Sequence, residues 1–404
     1  MKAGYFLGCF AVFSIFPALA VDWPRYLGPD GNARVAGELG SGFKADVLWE
    51  KRIGTGCAGI VVSGDRAVTF GNLDGKDVVQ CFDAASGKRL WRYAYDESLS
   101  PKLYDGGPNA TPTIDSGRVY TLSRTGNLFC FSLEDGKVQW HQHYQSDFDG
   151  KEPSWGYSAS PVVRGDELYC LPCGRDAAVF VLDKASGKLK RTFGKARQRP
   201  GYATPVFFEH QGKDMMAAFH GRFLVAYDLD RGGREAFDFM WRTSYDVNAS
   251  NPQYLDGRMF IASGYGMGYA VLDVGGAEPE LLHRNRDRRM IFQNSILLDG
   301  DIVGVFGDKN IDAELIRMDM KSGEVRWRER LPGTRGSSLM VGDELVVLTE
   351  TGHLVVGTPE KTGWKEAGRK RVLNDGVCWA PISYADGMVF AKSNNGKAVA
   401  VRMK

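Results

Sequence analysis

The sequence predicts an all-β fold: an eight-bladed β-propeller of four-stranded antiparallel blades, its ring closed by an N-terminal strand that completes the last blade. Three observations carry this reading. The chain holds 50 glycines, 16 tyrosines, 22 phenylalanines and 9 tryptophans with few long helical patterns, a composition suited to short strands joined by turns. A hairpin phrase recurs along it. The recurrence has a period in the forties, the length of one propeller blade.

The phrase reads FDAASGKRLW (Phe82–Trp91), FSLEDGKVQW (Phe131–Trp140), LDKASGKLKR (Leu182–Arg191) and MDMKSGEVRW (Met318–Trp327). Apolar, β-preferring residues lead into a turn whose glycine can take positive φ, and a second strand begins at once. The repeating positions are Asp83, Gly87 and Trp91; Gly136 and Trp140; Asp183 and Gly187; and Asp319, Gly323 and Trp327. The aromatic suits a half-buried outer strand packed on the neighbouring sheet.

A second hairpin precedes each phrase, as in TPTIDSGRVYTL, SPVVRGDELYCL and NPQYLDGRMFIA. Its proline slot marks Ile60, Pro112, Pro161, Pro205, Pro252, Ser295, Ser338 and Pro381, at intervals of 52, 49, 44, 47, 43, 43 and 43 residues. Eight markers make eight blades. The last unit ends at AVAVRMK, one strand short, and VLWEKRI (Val47–Ile53) offers an outer strand ahead of the first unit. Joining the two closes the ring and removes free sheet edges. A solenoid would need capping units and gives no reason for a split blade.

Residues 1–20 place Lys2 before an apolar run that ends on the small-x-small Ala18-Leu19-Ala20, the pattern of a signal peptide cleaved near Ala20. Residues 21–45 read as an N-terminal extension and 46–404 as the propeller. No later segment reaches the length of a membrane span. The expectation is a periplasmic or secreted protein without a transmembrane anchor. A formal charge of +2 leaves no electrostatic footprint for nucleic acid. The basic run HRNRDRR (His283–Arg289) is the local exception, read as a solvated loop neutralised by nearby acids.

The phrase D-x-x-[ST]-G-[KE]-x-x-W, at Asp83–Trp91 and Asp319–Trp327, resembles the tryptophan-docking motif of the pyrroloquinoline-quinone (PQQ) repeat propellers. The stretch DWPRYLGPDGNARV (Asp22–Val35) resembles the mature start of exported bacterial PQQ-like β-propeller repeat proteins, relatives of the outer-membrane-protein assembly factor. The resemblance covers essentially the whole mature chain. It implies a non-enzymatic scaffold in a complex of the cell envelope; a monomeric propeller is expected, whose wide upper face recognises a protein segment, a glycan or another polar ligand. Its alternative is a PQQ- and calcium-dependent dehydrogenase of alcohols or sugars.

In a propeller the inner strands line the channel, and the loops before them crowd one face. Asn109, Ser158, Tyr202 and Arg335 stand three residues before a marker, Trp379 two before, and Thr111, Asn251 and Asn294 one before. Other members of these rows are small, as the crowded inner taper demands. The eight named residues bring amide, hydroxyl, guanidinium and aromatic groups to one mouth, and are the candidate ligand site.

No catalytic residue, metal ligand or cofactor is expected. The quinone enzymes of the resembling family hold calcium on carboxylates and amides, use an Asp base and carry a disulfide between adjacent cysteines. Calcium takes six to eight oxygens. The channel rows contain no Asp or Glu and the chain has no Cys-Cys pair, although Asp105, Asp246 or Asp308 could contribute from loops. His141-x-His143 has metal spacing but reads as two surface histidines.

Cys57 and Cys378 share a slot in blades one and eight, where inner strands meet at the seam, so a disulfide between them would staple the ring. The C-x-x-C of YCLPCG (Tyr169–Gly174) spans about 10 Å if extended, beyond the ~7 Å a disulfide allows. No helix N-terminus is expected there to lower a thiol pKa. Cys170 reads as a core thiol, and Cys173 as a loop thiol on the ligand face.

Overall fold

The computed structural model describes residues 21–40, 43–102, 104–196 and 198–403. The signal-peptide reading and its cleavage near Ala20 lie outside the described residues. Eight sheets form the ring. Blade 1 runs from axis to rim through Val61–Ser63, Arg66–Leu73, Lys76–Asp83 and Arg89–Asp96. Blade 8 comprises Ser383–Ala385, Met388–Lys392 and Lys397–Met403, with Ala45–Arg52 as its outer strand. That strand pairs antiparallel from Ala45↔Met403 to Arg52↔Lys397, so the ring closes as the sequence predicts. Among the described residues the one α-helix is Tyr144–Phe148, and no helix is long and apolar enough to cross a membrane.

The middle strands are buried on both faces by the neighbouring blades, so buried residues follow one another without alternation along Arg66–Leu73 and Lys76–Asp83. A strand covered on one face only must alternate. Arg89–Asp96 does, with Trp91 turned inward.

Tryptophan docking joins the blades. Trp91 lies over Gly136 of blade 2 and donates its indole N–H to Leu133 O (2.8 Å). Trp140 repeats this on Gly187 and Lys184 O (3.1 Å), and Trp327 donates to Glu360 O (2.7 Å). Trp49 does the same across the seam, over Gly87 and onto Ala84 O (2.9 Å). A Cβ at Gly136 would fall 2.5 Å from the Trp91 ring, and its φ of +71° also demands glycine. Phe193 and His283 take the aromatic's place over Gly233 and Gly323.

The N-terminal extension straps the lower mouth of the channel. Trp23 exchanges both backbone hydrogen bonds with Val62 of blade 1 (2.9 Å each), and Ile114 N of blade 2 donates to Pro24 O (2.7 Å). The chain then crosses the axis. Arg34–Val35 pairs in parallel with Met340–Val341, adding a fifth strand to blade 7, and Arg34 Nη1 donates to Leu297 O of blade 6 (3.1 Å). At the crossing, Tyr26 fills the channel. It borders both the upper cavity and a second cavity beneath it.

Candidate ligand-binding site at the upper mouth

The connections that precede the inner strands and those between second and third strands meet on one face. They enclose a cavity of ≈ 220 Å³ floored by Tyr26. Seven of the eight residues singled out in the sequence line it: Asn109, Thr111, Ser158, Tyr202, Asn251, Arg335 and Trp379. Asn294 does not. It is buried in a side recess behind Arg335 and Trp379, where its amide donates to Ser338 O (2.9 Å) and accepts from Ser338 N (3.3 Å). It joins blade 6 to blade 7.

Thr111 is likewise committed to the ring. Its hydroxyl accepts from Gly59 N (3.1 Å), while Thr111 N donates to Ser160 Oγ (3.0 Å) and Ser160 N to Thr204 Oγ1 (3.0 Å). Ile382 N donates to Ser337 Oγ (3.0 Å) in the same manner. The small polar row of the inner taper is therefore an inter-blade hydrogen-bond belt, satisfying backbone groups that would otherwise be buried unpaired.

The opposite wall is built on a residue that the sequence reading passed over. Glu350 Oε1 accepts from Arg335 Nη1 (2.9 Å) and from the Trp379 indole N–H (2.7 Å), while Oε2 accepts from Thr334 N and Oγ1 (2.9 and 2.7 Å). Burial opposes ionisation of this carboxyl, but the hydrogen bonds from Trp379 and Thr334 and the Arg335 charge outweigh it, holding the pKa below the usual glutamate value. The Arg335 guanidinium lies 5.0 Å from the Trp379 ring centroid and 5.5 Å from that of Phe292. Cation, aromatic faces and carboxylate hold one another in place.

Facing them is an aromatic wall from the long loops. Trp155 O accepts from Asn109 Nδ2 and Tyr104 OH (3.2 Å each), and Trp155 N donates to Tyr202 OH (3.4 Å). The Trp155 ring stands edge-on to Tyr202 (6.3 Å) and Tyr245 (6.0 Å), and Tyr245 edge-on to Tyr265 (5.4 Å). Trp155, Tyr245 and Tyr265 lie outside the repeat slots, so the period gave no access to them. The one available signal was aromatics within Gly- and Ser-containing connections.

Two of the three loop carboxylates considered for calcium are engaged by arginine. Asp246 pairs with Arg222 (2.7 Å) and Asp308 with Arg289 (3.6 Å). Among the described residues no group of three or more His, Cys, Asp or Glu side chains is placed to hold a metal. His141 stacks on Phe129 (4.2 Å), and His143 caps the helix Tyr144–Phe148 through Nδ1. The two histidines serve different neighbours.

The disulfide expected between Cys57 and Cys378 is not formed, and both are free thiols. Cys173 is not a reachable loop thiol. The loop after Cys170 folds inward, leaving Cys173 3% exposed with its sulfur 3.6 Å from His220 Nδ1, and His220 Nε2 lies 3.0 Å from Tyr227 OH. Burial pushes the Cys170 and Cys173 thiols up to about 12 and the imidazole down to about 4, the opposite of an activated redox pair.

Behind the cavity a lysine is sealed into the seam. Lys392 of blade 8 is 1% exposed and donates to Phe70 O of blade 1 (3.1 Å). Asp77 is fully buried nearby in blade 1, hydrogen-bonded by Asn72 (2.9 Å).

Solved structures with this architecture include proteins of very different kinds. BamB from Moraxella catarrhalis matches with a TM-score of 0.60 at 15% identity, over 89% of this chain and 98% of its own. The quinohemoprotein alcohol dehydrogenase from Comamonas testosteroni matches at 0.66 and 12% identity, over 94% and 80%. A europium-containing methanol dehydrogenase gives 0.63 at 10% identity, over 94% and 89%. At these identities the likeness is one of fold alone. No curated protein sequence matches the chain. The family model described as "outer membrane protein assembly factor BamB" matches residues 75–329. The chain therefore belongs to that family of PQQ-like repeat propellers.

Proposed function

We propose that the protein is an exported, non-enzymatic binding or assembly scaffold of the cell envelope, and that the upper mouth is where it grips its polar partner. One observation carries this reading. The Arg335–Glu350–Trp379 cluster is already assembled, opposite an aromatic wall, around an open cavity closed below by Tyr26. A site whose side chains are locked in advance binds without the cost of ordering them. Asp246 and Asp308 are held by arginines, and the fixed groups suit hydrogen bonding and stacking.

The alternative, a PQQ- and calcium-dependent alcohol or sugar dehydrogenase, shares this fold equally. Adding PQQ and Ca²⁺ to purified protein separates the two. The expected result is no thermal shift, no quinone absorbance and no dye reduction, together with capture of an envelope partner that Trp379→Ala abolishes. Saturable quinone binding with dye reduction would overturn the scaffold reading.

A further inference from the structure

Three arginines converge on one aspartate at the rim of the upper mouth. Arg222 pairs with both Asp246 oxygens (2.7 and 3.2 Å), Arg199 lies at 3.0 Å, and Arg242 at 3.9 Å. Among the described residues none of the three has a second carboxylate within ion-pair distance. One carboxylate neutralises one guanidinium, so positive charge is left over. The Arg199 and Arg242 side chains are 49% and 60% exposed and free to take another anion.

The adjoining sector reinforces this. The run His283–Arg289 was expected to be neutralised by nearby acids. Arg289 does reach Asp308, but Arg284, Arg286 and Arg288 form no ion pair among the described residues. Arg284 instead lies over the Trp241 ring at 4.7 Å. Directly beside Asp246, Tyr245 is 59% exposed and sits between Trp155 and Tyr265.

From this juxtaposition, and resting on the scaffold reading above, we infer that the partner at this mouth is an acidic saccharide. Its sugar ring lies on Tyr245 with Trp155 and Tyr265, and its carboxylate or sulfate sits between Arg199 and Arg242. Planar guanidinium forks match the two oxygens of such groups. Exposed aromatic faces match the apolar face of a sugar ring, and the amides and hydroxyls of the inner cavity match its hydroxyls. An extended acidic peptide would prefer a free strand edge. Here the backbone groups at the tops of several inner strands are already taken by the inter-blade belt.

The test is calorimetric titration of the whole protein with four probes of equal length: an oligogalacturonate, a sulfated oligosaccharide, a neutral maltooligosaccharide and oligoglutamate. The acidic saccharides should bind, weaken with added salt, and exceed the other two by about 10-fold or more. Arg199→Ala with Arg242→Ala should weaken them by about 10-fold or more, and Tyr245→Ala by about 5-fold. All three side chains are exposed, so thermal unfolding should not move. Two results would overturn the inference. In one, oligoglutamate binds as well as the galacturonate and Tyr245→Ala is silent. In the other, neither acidic saccharide binds; partner capture that still depends on Trp379 would then leave the scaffold reading standing, and its loss would remove both.

Discussion

Trp49 and Gly87 form the contact that seals the ring, the indole from one end of the chain lying over the turn glycine of the first blade. Trp49 is buried, and its N–H bond to Ala84 O has no substitute. Trp49→Ala should lower stability by about 3–5 kcal/mol. Gly87→Ala should also destabilise, because its Cβ would sit 2.6 Å from the indole at a φ of +66°. Urea unfolding checks both, and an unchanged midpoint in either variant would contradict this account of closure.

Glu350 ties Arg335 to Trp379. Removing the carboxylate leaves Arg335, mostly buried, without its counter-charge. Glu350→Ala should cost about 3–5 kcal/mol and abolish partner capture. The folded pKa of Glu350 is depressed, so its stabilisation is present above the usual glutamate value and fades as pH falls through the folded one. Unfolding midpoints of wild type and Glu350→Gln should therefore converge in acid.

The buried pair at the seam predicts a different pH profile. Burial raises Asp77 to about 7 and lowers Lys392 to about 8. Folded Asp77 binds more protons than unfolded, so its contribution falls as pH rises from the normal aspartate range to about 7. Folded Lys392 binds fewer, so stability recovers above about 8. Stability should pass through a shallow minimum between these values. Asp77→Asn should flatten the acid limb and Lys392→Met the alkaline limb, read as urea midpoints across pH.

The thiols offer a simple count. The six cysteines among the described residues are free, and burial raises all of those at the mouth, seam and C-x-x-C to about 12. A thiol-titrating reagent at mildly alkaline pH should react slowly with native protein and with all six of these after unfolding, Cys9 adding a seventh equivalent where residues 1–20 are retained. Two missing equivalents without reductant would mean a disulfide.

The propeller was legible because its information is periodic. Each blade repeats a turn glycine and an outer aromatic, and the inner proline slot keeps count. The inner row betrayed the mouth for the same reason, although Thr111 and Asn294 turn out to join blades. Glu350 was hidden because it sits in a connection between second and third strands, outside the rows that were counted. Trp155, Tyr245 and the Asp246 arginines escaped because loop conformation follows no period. The strap was unreadable too: its pairings, Trp23 with Val62 and Arg34–Val35 with Met340–Val341, are one and two residues long and join segments distant in sequence.

The split blade also sets a timetable. The strand Ala45–Arg52 is made before the first blade, yet its partner Lys397–Met403 is made only after the seven blades between them. Until then both bear an open edge, and the intervening blades can stack but not close. Pairing so distant in sequence is slow, and the waiting edges are the surfaces on which strands of other chains add. Closure of the ring depends on the seven-residue strand Lys397–Met403, so a cut that removes this one short strand would leave both edges of the seam unpaired.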